Sequence, residues 1–210
     1  MGTELIKTTA NALFHLRAKM STALLDLRFG RLLRGAQETR FAQMGAYAIS
    51  NSSYAAVRHL FRGRVKASDV LVDVGCGKGR VVNSWLAEGY ANRMIGVELD
   101  AEVAASTRAR LRHFQNVSIV RGDIVANFPD DGTLFYLFNP FDAPAMMRFK
   151  DRLKESVSRS PIGEATVIYY NCRHVEVFAK DEACGIEYGM VEHPFAVIRV
   201  LARRGKGPNV

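Results

Sequence analysis

Residues 72–80 read VDVGCGKGR. Gly75, Gly77 and Gly79 occupy alternate positions directly after an apolar run, so a ligand can press against backbone that carries no Cβ. Spacing decides which ligand. A dinucleotide loop needs G-x-G-x-x-G, whose third glycine lets the next helix pack closely. Here Gly79 comes one place early, and Arg80 stands where that glycine belongs. A triphosphate loop needs G-x-x-x-x-G-K-[ST]. Lys78 follows Gly77, but Gly79 replaces the hydroxyl residue that would reach magnesium. Both registers fail.

Further polar residues sit at the ends of apolar runs. Asp73 closes the run before the glycines, where a carboxylate can hold a cationic group directly or through water. VELD places Glu98 and Leu99 after the second run, and RGDI places Asp123 and Ile124 after the third. FNPF (138–141) sets Asn139 after the fourth. YYNCRH (169–174) follows the fifth, with Tyr170, Asn171 and His174 able to face the same rim. His174 is the candidate general base. A surface histidine at a helix start is the commoner case. Cys76, inside the glycine loop, reads as a small filler without a redox role. Cys76, Cys172 and Cys184 show no CxxC spacing, which argues against a disulfide framework or a zinc site and for a reducing cytoplasm.

Strands and helices must position these residues. DVLVDV (69–74) is short, β-branched and nearly all apolar, as a buried strand requires. Val81, Val82, Trp85 and Leu86 then follow a helical period up to Gly89. MIGVEL (94–99), VSIV (117–120), TLFYLFN (133–139) and ATVIYYN (165–171) are further strands. A helix capped by Asp100 and another carrying Met146, Met147, Phe149 and Leu153 lie between them. Residues 185–202 form an antiparallel hairpin around His193-Pro194. The pattern is α/β: a doubly wound, mostly parallel seven-stranded sheet, preceded by N-terminal helices. Such sheets bind ligands at the carboxyl ends of their strands, where every motif above sits.

The chain has 210 residues and a formal net charge of +8. Residues 1–66 hold eleven Lys/Arg and three Asp/Glu; residues 67–210 hold eighteen of each. The whole excess therefore lies in the N-terminal third. Helices are expected over residues 3–20, and from a Ser21 cap through Leu32 with Gly30 or Gly35 as the stop. Their basic character points to an anionic surface, membrane or nucleic acid, or simply to a solvated face. Aromatic residues of the kind that stack single strands are sparse there. No apolar run reaches the roughly 18–20 residues that span a bilayer. The first 20 residues, with Glu4, Lys7, Arg17 and Lys19, do not read as a signal peptide. A cytoplasmic location is expected, with contact to a membrane surface left open.

Taken together, VDVGCGKGR, VELD, RGDI and FNPF resemble the successive motifs of class I S-adenosylmethionine-dependent methyltransferases, over about residues 66–202. The resemblance implies S-adenosylmethionine as cofactor, held by Asp73, Gly75, Cys76, Gly77 and Gly79. It implies Glu98 and Leu99 at the ribose, and Asp123 and Ile124 at the adenine. It implies Asn139 both at the cofactor and, as a catalytic residue, beside the methyl acceptor, an oxygen or nitrogen nucleophile of an unidentified molecule. The N-P-P-[YF] tetrad of the family's N-methyltransferases has two prolines where this chain has only Pro140. The chain is similar also to a little-characterised bacterial group with an LDLRFGR-like leader, a GKGR loop and an NPF after the fourth strand. By that resemblance Tyr54, in NSSY, lids the cofactor. The loop is similar too to seven-strand protein lysine methyltransferases, without a matching substrate motif. The expected organisation is a basic helical extension (1–62), a methyltransferase domain (63–203) and a disordered tail (204–210). No metal is expected. Competing readings are a non-catalytic fold relative that docks on membrane or nucleic acid, and an aminopropyltransferase. For the latter, Asp130-Asp131 is thin support.

Overall fold

The computed structural model describes residues 16–33, 35, 38–48 and 51–202. Seven strands form one sheet: β1 (Leu71–Val74), β2 (Met94–Glu98), β3 (Val117–Arg121), β4 (Leu134–Phe138), β5 (Glu164–Tyr170), β6 (Cys184–Met190) and β7 (Pro194–Leu201). Their order is β3-β2-β1-β4-β5-β7-β6. The pairings from β3 through β5 are parallel, and β7 runs antiparallel to both β5 and β6. This is the doubly wound, mostly parallel sheet with a C-terminal hairpin that the alternating pattern predicts.

Helices cover both faces, which explains why β1 is buried along its whole length. One face packs under α2 (Tyr54–Phe61), α3 (Arg80–Ala87) and α4 (Ala101–Leu111). Its core includes Leu71, Met94, Tyr136 and Trp85, with Phe61 edge-on to Trp85 at 5.2 Å. The other face packs under α5 (Ala143–Arg159) and α6 (Glu176–Ala179), around Phe135, Phe149 and Tyr169. After β3 the chain crosses to the far side of β1, so β1 and β4 become neighbours whose next loops diverge. That switch point opens a crevice.

The N-terminal segment is stitched to the sheet. Residues 16–28 form one continuous helix, α1, that runs straight through Ser21. The expected cap at Ser21 is not there: Leu, Ala, Met and Arg on both sides are good helix formers, and one serine costs little. The helix stops before Gly30, at φ +99°, and not at Gly35. Most of the helix expected over 3–20, and the tail from residue 203, lie outside the described residues. Below α1 sits a buried carboxylate. One oxygen of Asp26 accepts from the Tyr54 hydroxyl (2.9 Å) and Arg80 Nε (3.2 Å). The other accepts from Arg80 Nη2 (2.8 Å) and the Leu33 amide (3.0 Å). Arg110 on α4 completes the joint by donating to the carbonyls of Phe29 and Lys78 and to Asn83.

The basic residue of GKGR is therefore an anchor for the leader. Removing one partner of a buried ion pair strands the other. Asp26→Ala is expected to cost about 3–5 kcal/mol in urea unfolding, and to expose residues 29–33 to limited proteolysis. A variant as stable and as resistant as the wild type would refute this role.

Candidate active site

The crevice lies at the carboxyl ends of β1, β2 and β4. It is lined on one side by Gly75, Glu98, Leu99 and Asp123 and on the other by Phe41, Met44 and Tyr47. Gly75 forms its floor in the left-handed region (φ +71°), and a Cβ there would meet Pro140 at 3.2 Å. A side chain at this position would both strain the backbone and crowd the loop after β4.

The other loop residues face elsewhere. Gly77 (φ +50°) is buried; its amide donates to Glu98 Oε2 at 2.8 Å, and its carbonyl accepts from Thr107. Gly79 caps α3 and packs on α4, where a Cβ would lie 2.8 Å from Thr107. Cys76 fills the core behind the loop: a Cβ on Gly96 would come within 2.7 Å of its sulfur. Burial pushes its thiol well up, which leaves it protonated and unreactive. Of the four loop positions expected at the cofactor, Gly75 alone lines the crevice. Cys76, Gly77 and Gly79 shape it from behind.

Two buried carboxylates lie beside this loop; Glu98 lines the crevice and Asp73 does not. Glu98 is buried, accepts from the amides of Gly77 and Asp100 (both 2.8 Å), and lines the crevice with Leu99. Burial raises its pKa, and the two backbone donors hold it down. Asp73 is 2% exposed, and its Oδ2 has no hydrogen-bond partner among the described residues. Burial first, then the nearby charge of Glu98, pushes its pKa up to about 8. An orphaned buried carboxylate oxygen calls for a cationic donor. A second carboxylate, with lone pairs to spare beside the crevice, suits a pair of hydroxyls. These are the needs that the ammonium and ribose of S-adenosylmethionine meet, so the residues fit that cofactor.

Asp123 and Ile124 line the same crevice. Asp123 Oδ1 is occupied by the turn, accepting from Val125 and Ala126 amides (2.6 and 3.3 Å). Its second oxygen accepts no hydrogen bond among the described residues. Asn139, in the left-handed region (φ +42°), is buried at the end of β4. Its Oδ1 accepts from the Tyr169 hydroxyl (3.0 Å), which in turn accepts from the His174 amide (3.2 Å). Tyr170 points elsewhere, its ring stacked on Phe138 with centroids 5.0 Å apart.

Tyr54 is a correction. It does not reach the crevice: it begins α2 under the leader, and its hydroxyl belongs to Asp26. The residue over the crevice is Tyr47, seven positions earlier. Residues 38–48 form a strap, with Phe41, Met44 and Tyr47 along the crevice. Gly45 O accepts from the Asp142 amide (2.8 Å), and the Tyr47 amide donates to Pro140 O (3.0 Å). Ala46 bridges to Phe141. Tyr47 Oη lies 3.1 Å from His174 Nε2, and His174 Nδ1 lies 3.7 Å from Glu176. His174 does not itself line the crevice, whereas Tyr47 does. Neither Tyr47 nor Glu176 stands out in sequence. GAQETRFAQMGAYAISNSS reads as a polar connection, and nothing local announces its pairing with FNPF. The Asp130-Asp131 pair is also placed away from the crevice, before β4, where it binds Arg152 and Arg93. Among the described residues no group of three or more His, Cys, Asp or Glu could hold a metal ion.

Comparison with known proteins agrees with this geometry. The methyltransferase domain family matches residues 71–155, from β1 into α5. No curated protein matches the chain. Among solved structures, the pyocyanin biosynthetic protein PhzM is similar at 16% identity and TM-score 0.58, over 70% of this chain and 54% of that one. The chain thus spans about half the length of that protein. An RNA methyltransferase from Salinibacter ruber, in complex with S-adenosyl-L-homocysteine, gives 19% identity and TM-score 0.57, over 73% and 95% of the two chains. The S-adenosylhomocysteine-bound methyltransferase PaMTH1 of Podospora anserina gives 12% and 0.57, over 72% and 80%. At these identities the structures speak for the fold. The match with the methyltransferase domain runs over the stretch that carries the glycine loop, Glu98 and Asp123, the residues around the crevice.

Asp73 gives the site a pH signature. Unfolded, its carboxyl titrates near about 4; folded without cofactor, near about 8. Between those values the fold holds a proton that the unfolded chain has lost, so stability falls as pH rises through that window. Urea midpoints of Asp73→Asn are expected to fall less steeply between about pH 4 and 8 than those of the wild type. Equal slopes would show that Asp73 is ionised in the cofactor-free protein.

Proposed function

We propose that this protein transfers the methyl group of S-adenosylmethionine to an oxygen or nitrogen of an acceptor that enters beside Tyr47 and Asn139. The observation that carries the reading is the chain Tyr47–His174–Glu176 at the edge of the crevice. When bound, the cofactor supplies an electrophilic methyl group. Asp73 is proposed to hold its ammonium and Glu98 its ribose hydroxyls, with Leu99, Asp123 and Ile124 around the adenosine and the glycine loop behind. Asn139, fixed by Tyr169, faces the acceptor with its amide and positions the nucleophile.

An acceptor that arrives protonated, such as a hydroxyl, needs a base. In the proposed arrangement the Tyr47 oxygen takes the acceptor proton while its own proton passes to His174 Nε2. The resulting imidazolium is paired with Glu176. This gives His174 the role of base at one remove, with Tyr47 as the group that meets the acceptor. The expected bacterial group with GKGR and NPF remains part of the proposal: Arg80 as leader anchor and Asn139-Pro140-Phe141 as strap anchor would be its shared devices. The basic N-terminal third is proposed to bring the enzyme to an anionic partner, from a cytoplasmic location. The division into a leader (1–62), a catalytic domain (63–203) and a tail is likewise proposed.

The test uses cofactor carrying a labelled methyl group, with lipid, nucleic-acid, protein and small-molecule fractions of a cell extract as acceptors. Label is expected in one fraction. Tyr47→Phe and His174→Gln should slow its incorporation by roughly 10²-fold or more, with calorimetric cofactor affinity retained. Glu98→Ala should lose cofactor binding itself. No binding to the wild type would sink the activity; undiminished labelling by Tyr47→Phe would sink the relay alone.

A further inference from the structure

Helix α1 docks on α2 and α3 through Asp26 and leaves an apolar stripe on its opposite side. Asp26, with Phe29 and Leu33 just beyond the helix, is buried, and Thr22 and Leu25 are half-buried. On the opposite side Leu16, Met20, Leu24 and Leu27 are 54%, 57%, 65% and 55% exposed. Their spacing of four, four and three residues keeps them on one stripe of a helix. Arg17 and Arg28 flank the stripe on one side and Lys19 on the other. None of the three has a carboxylate within ion-pair distance among the described residues. A row of large apolar side chains turned to solvent marks an interaction site.

We infer that α1 lies flat on an anionic lipid bilayer, with Leu16, Met20, Leu24 and Leu27 in the acyl boundary and Arg17, Lys19 and Arg28 at the headgroups. The inference deepens, and rests on, the reading that the N-terminal third meets an anionic partner. Charge and hydrophobicity select the occupant together. Apolar insertion plus basic flanks is the pattern of interfacial helices. Nucleic acid would use the basic residues and leave the stripe wet. A second copy packed antiparallel on the stripe would set Arg17 against Arg28, within two segments that already hold the chain's whole +8 excess. No helix among the described residues is long and apolar enough to cross a membrane. From α1 the chain passes through Leu33, bound to Asp26, to the strap over the crevice. The lipid contact and the cofactor cover therefore belong to one stretch of chain.

The test is co-sedimentation of the full chain with phosphatidylcholine vesicles, with and without phosphatidylglycerol. Binding is expected to the anionic vesicles only and to weaken with salt. Leu24→Ser/Leu27→Ser should weaken it by roughly tenfold or more, with cofactor affinity and thermal midpoint retained, because both side chains are exposed. Arg17→Gln/Arg28→Gln should weaken it as well. Binding to a polynucleotide but not to vesicles would overturn the lipid inference and spare the anionic-partner reading; binding to neither would overturn both. Serine variants that bind vesicles like the wild type would show that the stripe is not inserted. A wild-type dimer that the serine variants convert to monomer, without vesicle binding, would assign the stripe to a second copy. A drop in thermal midpoint in the serine variants, again without vesicle binding, would assign it to residues 1–15.

Discussion

The architecture turns on a buried charge pair that reaches across the fold. Asp26 is almost inaccessible and Arg80 is largely covered, and the carboxylate could not be left alone in that place. Arg80 opens the helix after the glycine loop, and Asp26 belongs to a helix outside the sheet. Their pairing forces the leader to lie against the one loop that must stay bare. Tyr54, Asn83, Leu33 and Arg110 supply the remaining hydrogen bonds, so the cluster is satisfied as well as neutralised. Once the leader is held there, the chain has little choice but to pass over the crevice on its way to α2.

The crevice itself is built from backbone and carboxylates. Gly75 and Asn139 follow adjacent parallel strands, and both sit in the left-handed region, where the chain turns sharply away from the sheet. That double turn leaves the space. Glu98 braces the glycine loop through Gly77 and thereby ties the end of β2 to the end of β1. Asp73 is left with an unanswered oxygen, a cost the folded chain carries.

What could be read from sequence follows the range of the forces involved. Short apolar runs, helical periods and glycine spacing are local, and they led to the strands, the switch point and the carboxylates at its rim. The failures are long-range. Tyr47 and Tyr54 sit in similar surroundings along the chain; only the pairing of Ala46 with Phe141 and the hydrogen bond to Asp26 tell them apart. Ser21 looked like a cap because its residue type allows it, yet strong helix formers on either side carried the helix through. Cys76 lies in the middle of a ligand loop, but its side chain turns to Gly96. Arg80 could be seen to break the dinucleotide register, while its partner, 54 residues upstream, could not be guessed.

Gly45 couples two parts of the molecule that otherwise have separate duties. It lies so close to Asp142 that a Cβ would fall 2.5 Å from that carboxylate, and its carbonyl takes the Asp142 amide. Asp142 is also the residue that caps α5, accepting from the Ala145 amide. The strap over the crevice and the first turn of α5 thus meet at one residue. Displacing the strap would strip the Asp142 amide of its acceptor, so the same residue that starts α5 also holds the strap in place.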